Sequence, residues 1–275
     1  MLTSESLYLE LLKKTLSYTL WEEPPIPINM FNYNRSLLKR IFISIINKAL
    51  ERTKIGLVIK YDFSKENRIN GKIWPRYADT MIGIKRLNNL QECLEDVLNK
   101  IMEGDFIETG VWRGGACILM NAILTIKVIN DRKVYVADSF EGLPKPDENK
   151  YPDDKGDTHY KQEFLSVSLE EVKNNFKKYD LLNENVVFLK GWFKDTLPLA
   201  PINKLSILRL DGDMYSSTIE VLETLYPKLV SGGYCIVDDY ALDGCKKAVD
   251  NFRTKNQITD RINQVDWSGI YWQKE

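Results

Sequence analysis

The stretch from Asp105 to Gly115 constrains the fold of this chain more than any other part of the sequence. It opens with a short apolar run, passes through a turn containing Gly110 and Gly114, and continues into an apolar segment of helical length. A strand, a Gly-rich turn and a helix in this order form the first unit of a nucleotide-binding α/β sheet. Because the glycines are spaced G-x-x-x-G-G, the dinucleotide fingerprint itself is absent.

Apolar runs of strand length alternate with helical segments from Asp105 onward, which predicts a doubly wound, mostly parallel sheet. Seven strands are predicted, beginning near residues 105, 133, 186, 205, 234, 262 and 269. We assign this α/β domain to residues 85–275. Residues 1–84 are interpreted as an N-terminal helical and lid extension.

Length and composition limit the classes of protein to which the chain can belong. With 275 residues, 44% of them hydrophobic, it can bury one α/β core plus an appendage. A formal net charge of −1 gives no electrostatic case for binding nucleic acid. The four cysteines lack C-x-x-C spacing, which favours reduced thiols and a cytoplasmic location. Neither a signal-peptide pattern nor an apolar run of membrane-spanning length is found in the sequence.

A basic amphipathic helix is predicted near residues 36–52. The favoured interpretation is a helix that packs on its own domain and keeps a solvated charged rim. Two alternatives remain, because such a helix can also lie on an anionic membrane surface or contact a partner subunit. A homo-oligomer is the expected assembly. The apolar residues of this helix are Leu37, Leu38, Ile41, Phe42, Ile45, Ile46 and Ala49.

Acidic residues end four of the predicted strands. They are Glu108, Asp138, the pair Asp211 and Asp213, and the pair Asp238 and Asp239. Ligands of open α/β sheets bind beyond the carboxyl ends of the strands, so these carboxylates are expected to converge. Converging carboxylates repel one another unless a cation lies among them. The two acidic pairs therefore predict a hard metal ion, with Mg²⁺ favoured, whereas the first two acids suit nucleoside hydroxyls.

Each of these acids also has a purely structural interpretation. A strand-end aspartate often caps a helix or forms a turn. Asp238 and Asp239 fit a cap of the helix that follows Tyr240, and Asp211-Gly212-Asp213 fits a turn. Two acidic pairs on adjacent predicted strands favour the metal site over these alternatives.

Two loops and two aromatic residues are further candidates for the site. Residues 139–162 form a long polar connection, which predicts an active-site lid. This lid contains His159, the only histidine, for which a catalytic role and a solvated position remain alternatives. Residues 60–80 are also interpreted as a loop. Trp192 and Phe193 follow the third strand, where they would either stack on a purine ring or fill the core.

Six collinear motifs resemble the macrocin O-methyltransferase family. The resemblance covers residues 79–273, whereas the segment from about 32 to 76 departs from the family pattern and leaves the acceptor undetermined. The motifs are Asp79 to Gly83, Glu108 to Gly115, Ala137 to Pro144, Gly191 to Pro198, Arg209 to Asp213, and Gly233 to Tyr240.

The resemblance implies a class I methyltransferase that uses S-adenosylmethionine and Mg²⁺ to methylate a hydroxyl of a sugar on a small-molecule acceptor. By position in the motifs, Asp211, Asp238 and Asp239 would hold the metal, and Asp213 would be the general base. His159 in the lid is a second catalytic candidate. The residues expected to line the cofactor site are Glu108, Thr109, Gly110, Gly114, Asp138, Ser139, Gly191 and Trp192.

Two other classes remain open from the residues alone. A metal-dependent glycosyltransferase also places Asp-x-Asp at a strand end, and Asp211-Gly212-Asp213 fits that pattern by itself. A non-catalytic scaffold recruited through the basic helix is the other class. The many strand-end carboxylates argue against the scaffold.

Overall fold

Nine strands form two sheets in the part of the chain that the computed structural model describes, which is residues 3–28, 36–59 and 64–275. A two-stranded antiparallel sheet lies in the N-terminal extension, and the other seven strands form one large sheet. The strands are β1 (Ile26–Pro27), β2 (Val58–Ile59), β3 (Asp105–Thr109), β4 (Val134–Asp138), β5 (Val186–Lys190), β6 (Leu205–Leu210), β7 (Leu229–Val237), β8 (Asn263–Gln264) and β9 (Ile270–Gln273).

The large sheet has the strand order β5-β4-β3-β6-β7-β9-β8. The strands from β5 to β7 pair in parallel, and β9 and β8 add an antiparallel edge. Chain order reverses between β3 and β6, so a crevice opens beyond their carboxyl ends. The predicted doubly wound, mostly parallel seven-stranded sheet is confirmed.

Helices cover both faces of the large sheet. Successive residues of a strand point to opposite faces, so Phe106 packs into one apolar cluster and Ile107 into the other. The helices in the described ranges are α1 (Ser4–Leu16), α2 (Leu37–Glu51), α3 (Lys65–Ile69), α4 (Ile84–Asn99), α5 (Gly115–Ile126), α6 (Leu169–Lys178), α7 (Phe193–Thr196), α8 (Tyr215–Leu225) and α9 (Asp243–Lys255). Among the described residues, no helix has the length and apolar character needed to cross a bilayer.

The first helix belongs to the main core although it lies in the N-terminal extension. Leu9, Leu12 and Leu16 of α1 are buried in the same apolar cluster as α4 and α5. Arg68 ties this region to the loop before α4, since its guanidinium donates to the carbonyl oxygens of Ser17, Met81 and Thr80. The division at residues 84 and 85 remains a prediction.

The favoured interpretation of the basic helix is wrong. The apolar face of α2 is not packed on its own domain, because Leu38, Phe42 and Ile45 are 79%, 65% and 64% exposed. The helix is held from its other side, where the Asn47 side chain accepts a hydrogen bond from the backbone N–H of Leu57. This leaves an apolar surface, the α2 face, formed by Leu37, Leu38, Ile41, Phe42 and Ile45.

Three other segments refine the sequence-based expectations. The predicted 60–80 loop contains α3, and its residues 60–63 lie outside the described ranges. The apolar pattern after the fourth predicted strand favours a helix from Tyr215 to Val230, but α8 ends at Leu225, because Pro227 cannot continue it. The lid segment 139–162 is held to α8 by Asp154, whose carboxylate accepts the backbone N–H groups of Tyr215 and Ser216 at 2.7 and 3.0 Å.

Candidate active site

A cavity of about 450 Å³ lies beyond the carboxyl ends of the parallel strands, at the reversal of strand order. The loops after β3, β4, β5, β6 and β7 all contribute to its wall, together with the lid and the loop before α4. Every acid predicted at a strand end lines this cavity. These acids are Glu108, Asp138, Asp211, Asp213, Asp238 and Asp239.

Gly110 brings the loops after β3 and β6 into close contact. Its φ is +85°, and a Cβ at this position would lie 1.7 Å from the carbonyl oxygen of Asp211. Only glycine fits there without moving the backbone. This close approach places the loop after β3 directly beside the loop after β6, which contains Asp211 and Asp213.

Two of the predicted cofactor residues do not line the cavity. The Thr109 hydroxyl donates to the carbonyl oxygen of Arg209, so it joins β3 to β6. Gly114 has a φ of +85° and precedes α5, where a Cβ would lie 2.9 Å from the Val172 side chain. Both residues shape the turn rather than the cavity surface.

The other predicted cofactor residues do line the cavity. Asp138 fixes two loops, because its carboxylate accepts the backbone N–H groups of Val111 at 2.8 Å and Phe140 at 2.7 Å. Burial raises the pKa of Asp138 above its usual value. Trp192 and Phe193 are half-buried and line the cavity, and Phe193 also packs against one of the two apolar clusters of the core. The lining residues predicted for the cofactor are Glu108, Gly110, Asp138, Ser139, Gly191 and Trp192.

Glu108 is held by two groups behind the cavity wall. Its Oε1 pairs with the Arg209 guanidinium, and its Oε2 accepts from the Cys117 thiol at 2.9 Å. Burial raises the pKa of Glu108, and the arginine opposes that rise. The carboxylate is thus fixed in orientation while it remains at the cavity surface.

Asp211, Asp213 and Asp239 form an acidic cluster at the ends of β6 and β7. The backbone N–H of Asp213 donates to Oδ2 of Asp239 at 3.1 Å, and φ of Asp213 is +56°. Burial and the neighbouring carboxylates raise the pKa of Asp213 to about 7 and that of Asp239 to about 8. The pKa of Asp211 is raised for the same reasons. A non-glycine residue held at positive φ among like charges is typical of a functional site.

Asp238 differs from its three neighbours because arginines neutralise it. Its Oδ2 lies 2.5 Å from Nη2 of Arg209 and 3.0 Å from Nη1 of Arg86. Burial alone would raise the pKa of Asp238, but the two arginines hold it below its ordinary value. Its Oδ1 has no hydrogen-bond partner among the described residues. Within the described ranges, no three His, Cys, Asp or Glu side chains could hold a metal ion as they stand.

His159 lines the cavity from the lid. Its backbone N–H donates to Oδ1 of Asp157 at 2.7 Å, and its ring Nδ1 lies 2.9 Å from Oδ2 of the same carboxylate. Asp157 therefore orients the ring and leaves Nε2 as the nitrogen that can reach a ligand. The ring is about one-third exposed and has a fixed partner, and its catalytic role stays a prediction.

Arg209, behind the cavity wall, and Arg86, in the cavity lining, were not predicted as site residues. Arg209 occupies a strand whose six residues are all buried, and Arg86 lies in the first turn of α4, far away in sequence. An arginine within an otherwise apolar buried strand is a signal that sequence inspection can use, because such a charge requires buried partners. Arg86 carries no comparable signal, since the N-terminal turn of an amphipathic helix commonly contains a charged residue.

Comparison with known proteins identifies the family. The profile of the Macrocin-O-methyltransferase (TylF) family matches residues 5–274. Demethyldecarbamoylnovobiocin O-methyltransferase of Streptomyces niveus is 46% identical over 99% of this chain and 95% of its own length. The 8-demethyl-8-(2,3-dimethoxy-alpha-L-rhamnosyl)-tetracenomycin-C 4'-O-methyltransferase of Streptomyces olivaceus is 40% identical over 98% of this chain and 93% of its own length.

A solved structure has the same fold over nearly the whole chain. The O-methyltransferase NovP superposes with a TM-score of 0.83 at 45% identity, covering 98% of this chain and 99% of that one. The sheet order, the cavity at the reversal of strand order and the family match agree. The chain belongs to the macrocin O-methyltransferase family and is an O-methyltransferase with the class I methyltransferase fold.

Proposed function

We propose that this enzyme transfers a methyl group from S-adenosylmethionine to a sugar hydroxyl of a glycosylated small molecule, with Mg²⁺ as a second cofactor. The observation that carries the proposal is the acidic cluster of Asp211, Asp213 and Asp239 in the wall of the cavity. In the proposed complex, an acceptor hydroxyl would lie beside these carboxylates and face the cofactor. A hydroxyl is a poor nucleophile until its proton is removed, and these groups supply both a negative field and a proton acceptor.

The acidic cluster fits a divalent cation by charge. The pKa values of Asp211 and Asp239 are raised first by burial and then by neighbouring negative charges, which no described cation compensates fully. Asp238 adds an oxygen, Oδ1, that has no hydrogen-bond partner among the described atoms. Hard divalent ions prefer such oxygen ligands. Asp211, Asp238 and Asp239 would hold the ion, and it would lower the pKa of an acceptor hydroxyl.

The cofactor half of the cavity is formed by the loops after β3, β4 and β5. Gly110 permits close backbone approach, and Glu108 and Asp138 present carboxylates that can accept hydrogen bonds from hydroxyl groups. Trp192 offers an aromatic face at the cavity surface. S-adenosylmethionine, when bound, supplies an electrophilic methyl group on a positively charged sulfur.

Asp213 is the proposed general base. Its pKa of about 7 keeps a substantial fraction of the side chain deprotonated at neutral pH, yet makes it a stronger base than an ordinary aspartate. The positive φ of Asp213 aims the side chain from the short loop between β6 and α8. His159, oriented by Asp157, is proposed to contact the acceptor from the lid side.

A sugar acceptor is supported by the relatives. The name of the Streptomyces olivaceus enzyme describes methylation at a 4' position of a rhamnosyl-bearing compound. Polar lid and helix residues line this chain's cavity beyond the acidic cluster, including Tyr151 and Glu220, which are hydrogen-bonded to each other at 3.0 Å. Such groups suit the hydroxyls of a sugar.

Calorimetry tests the cofactor assignment directly. S-adenosylmethionine and its demethylated product S-adenosylhomocysteine should each bind the chain, and Asp138→Ala should weaken both. A glycosyltransferase would instead bind a nucleotide sugar. If neither S-adenosylmethionine nor S-adenosylhomocysteine gave binding heat at concentrations up to about 1 mM, the proposed reaction would be ruled out.

We also propose a cytoplasmic homo-oligomer. The four cysteines are free and buried, as expected for reduced thiols, and the α2 face leaves large apolar side chains exposed. The molar mass of the unsubstituted protein, measured by light scattering, should correspond to more than one chain per particle. Phe42→Glu should reduce that number. Ile101→Glu is the matched control, since Ile101 is 87% exposed but lies outside α2. A monomeric parent would contradict the assembly.

A further inference from the structure

The guanidinium of Arg209 contacts carboxylates from three strands. Nη1 pairs with Glu108 on β3 and lies 3.2 Å from Oδ2 of Asp211, just beyond β6. Nη2 lies 2.5 Å from Oδ2 of Asp238, just beyond β7. The arginine is only 1% exposed, so water screens these interactions very little.

The sheet topology explains this arrangement. Arg209 is the register partner of Glu108 in the parallel pair of β3 and β6, and Asp211 follows it by two residues on the same face. Strand order reverses between β3 and β6. Arg209 therefore lies beneath the point at which the cavity opens, with Glu108 on one side and the aspartates on the other.

Arg86 and Cys117 extend the network in both directions. Arg86 joins Asp238 to Asp266, which precedes β9, through contacts of 3.0 and 2.8 Å. Cys117 holds the second oxygen of Glu108. Arg209 thus pairs with Glu108 in the cofactor half of the site and with Asp211 and Asp238 in the other half, which we call the acceptor half.

We propose that Arg209 is a positioning residue that couples the cofactor half of the site to the acceptor half. It orients Glu108 for the cofactor and, through the same guanidinium, Asp211 and Asp238 for the acceptor side. A change of charge at Asp238, which contacts the guanidinium directly, would shift it and alter the position of Glu108. This inference rests on the proposed function, because it takes the two halves as binding cofactor and acceptor.

The need for fold stability does not by itself account for this arginine. Replacing buried ionic groups by apolar residues of similar size is often neutral or stabilising, so a sheet of this kind does not require a buried arginine. A planar fork with five N–H donors can meet three carboxylates at once, whereas an ammonium group presents a single point charge. The position calls for the geometry of arginine, not only for its charge.

Arg209→Lys tests the coupling, with Arg132→Lys as its matched control. Arg132 also donates to several partners, the carbonyl oxygens of Met102 and Gly104 and the hydroxyl of Ser206, but it lies near the opposite end of the strands. In Arg209→Lys, the Kd of S-adenosylhomocysteine should rise about tenfold, and methyl transfer at saturating cofactor should slow about tenfold. In Arg132→Lys, both quantities should stay within about twofold. A folded Arg209→Lys protein that loses only one of the two would overturn the coupling.

A second variant decides the question if Arg209→Lys does not fold. Asp238→Asn, measured in metal-free buffer, changes only the acceptor side, yet it should alter the Kd of S-adenosylhomocysteine by about threefold or more. A Kd unchanged within about twofold would overturn the proposal. If the parent itself neither bound S-adenosylhomocysteine nor transferred a methyl group, the proposed function would fail, and the coupling would fall with it.

Discussion

The backbone N–H of Asp213 donates a hydrogen bond to Oδ2 of Asp239 across 3.1 Å, which fixes two acids of neighbouring loops beside each other. Burial and mutual repulsion raise the pKa of both carboxyls, to about 7 and about 8. At neutral pH the pair therefore carries a proton part of the time unless a cation compensates its charge.

Asp239→Asn should stop catalysis without removing the cofactor site. The substitution keeps the size of the side chain but removes a charge, so kcat should fall by at least about 100-fold, while the Kd of S-adenosylhomocysteine changes by less than about threefold. Steady-state kinetics and calorimetry measure the two quantities. Asp250→Asn, at a half-exposed position of α9 that does not line the cavity, is the matched control and should change neither. Equal loss of turnover and cofactor affinity would show that the acidic cluster is misassigned.

The stability of the metal-free protein should fall as pH rises from about 5 to about 8. The folded pKa of Asp239, about 8, lies above the value of about 4 for an unfolded aspartate, so the folded state binds the proton more tightly and loses that advantage as the proton leaves. Thermal unfolding at several pH values measures the trend. Mg²⁺ should raise Tm more at pH 8 than at pH 5, since the ion binds the deprotonated carboxylates. Asp239→Asn should flatten both dependences, and a Tm independent of pH and Mg²⁺ would contradict the charge argument.

The rate of methyl transfer should decline on the acid side of the pKa of Asp213 if this residue is the base, and bound Mg²⁺ should hold that pKa below the metal-free value of about 7. Protonation below that pKa removes the acceptor of the substrate proton. Asp213→Asn should lower kcat by about 10² to 10⁴ and abolish this acid limb. A pH–rate profile under single-turnover conditions makes the comparison. Survival of the same limb in Asp213→Asn would assign it to another group.

His159→Ala separates a lid contact from a catalytic role. Because Asp157 fixes the ring and the lid contributes to the cavity wall, the KM of the acceptor should rise about tenfold while the Kd of S-adenosylhomocysteine stays unchanged. Lys161→Ala is the control, since Lys161 is exposed in the same short helical turn. Unchanged acceptor kinetics in His159→Ala would remove this residue from the site.

The sequence predicts the large sheet well because its signals are local. Apolar strands, the glycine turn and the order of elements specify a parallel sheet. The sequence Ser168-Leu169-Glu170-Glu171 has the capping-box pattern that predicts the start of a helix, and Ser168 is the N-cap of α6, accepting from the backbone N–H of Glu171. The error at the end of α8 came from continuing an apolar pattern through Pro227. The packing of α2 was not predictable, because amphipathicity shows that a face is apolar but not what covers it.

The sequence likewise predicts some features of the site and not others. Topology alone predicts that the strand-end acids meet, and they do line one cavity. The different state of Asp238 could not be predicted, because it depends on Arg86, a residue 152 positions away that packing brings within 3.0 Å. Nor does the sequence distinguish the cavity-lining residues of the turn from Thr109, whose hydroxyl bonds to β6, or from Gly114, which lies against side chains of α6.

Transfer of an isotopically labelled methyl group tests the central claim most directly. The protein is incubated with methyl-labelled S-adenosylmethionine and a panel of glycosylated acceptors, with EDTA, with EDTA followed by excess Mg²⁺, or with neither, and the products are analysed by mass spectrometry. We expect the label on a sugar oxygen of an accepted compound, lost with EDTA and restored by Mg²⁺, and absent throughout with Asp239→Asn. Label transfer that persists at full rate in EDTA and in Asp239→Asn would contradict the account.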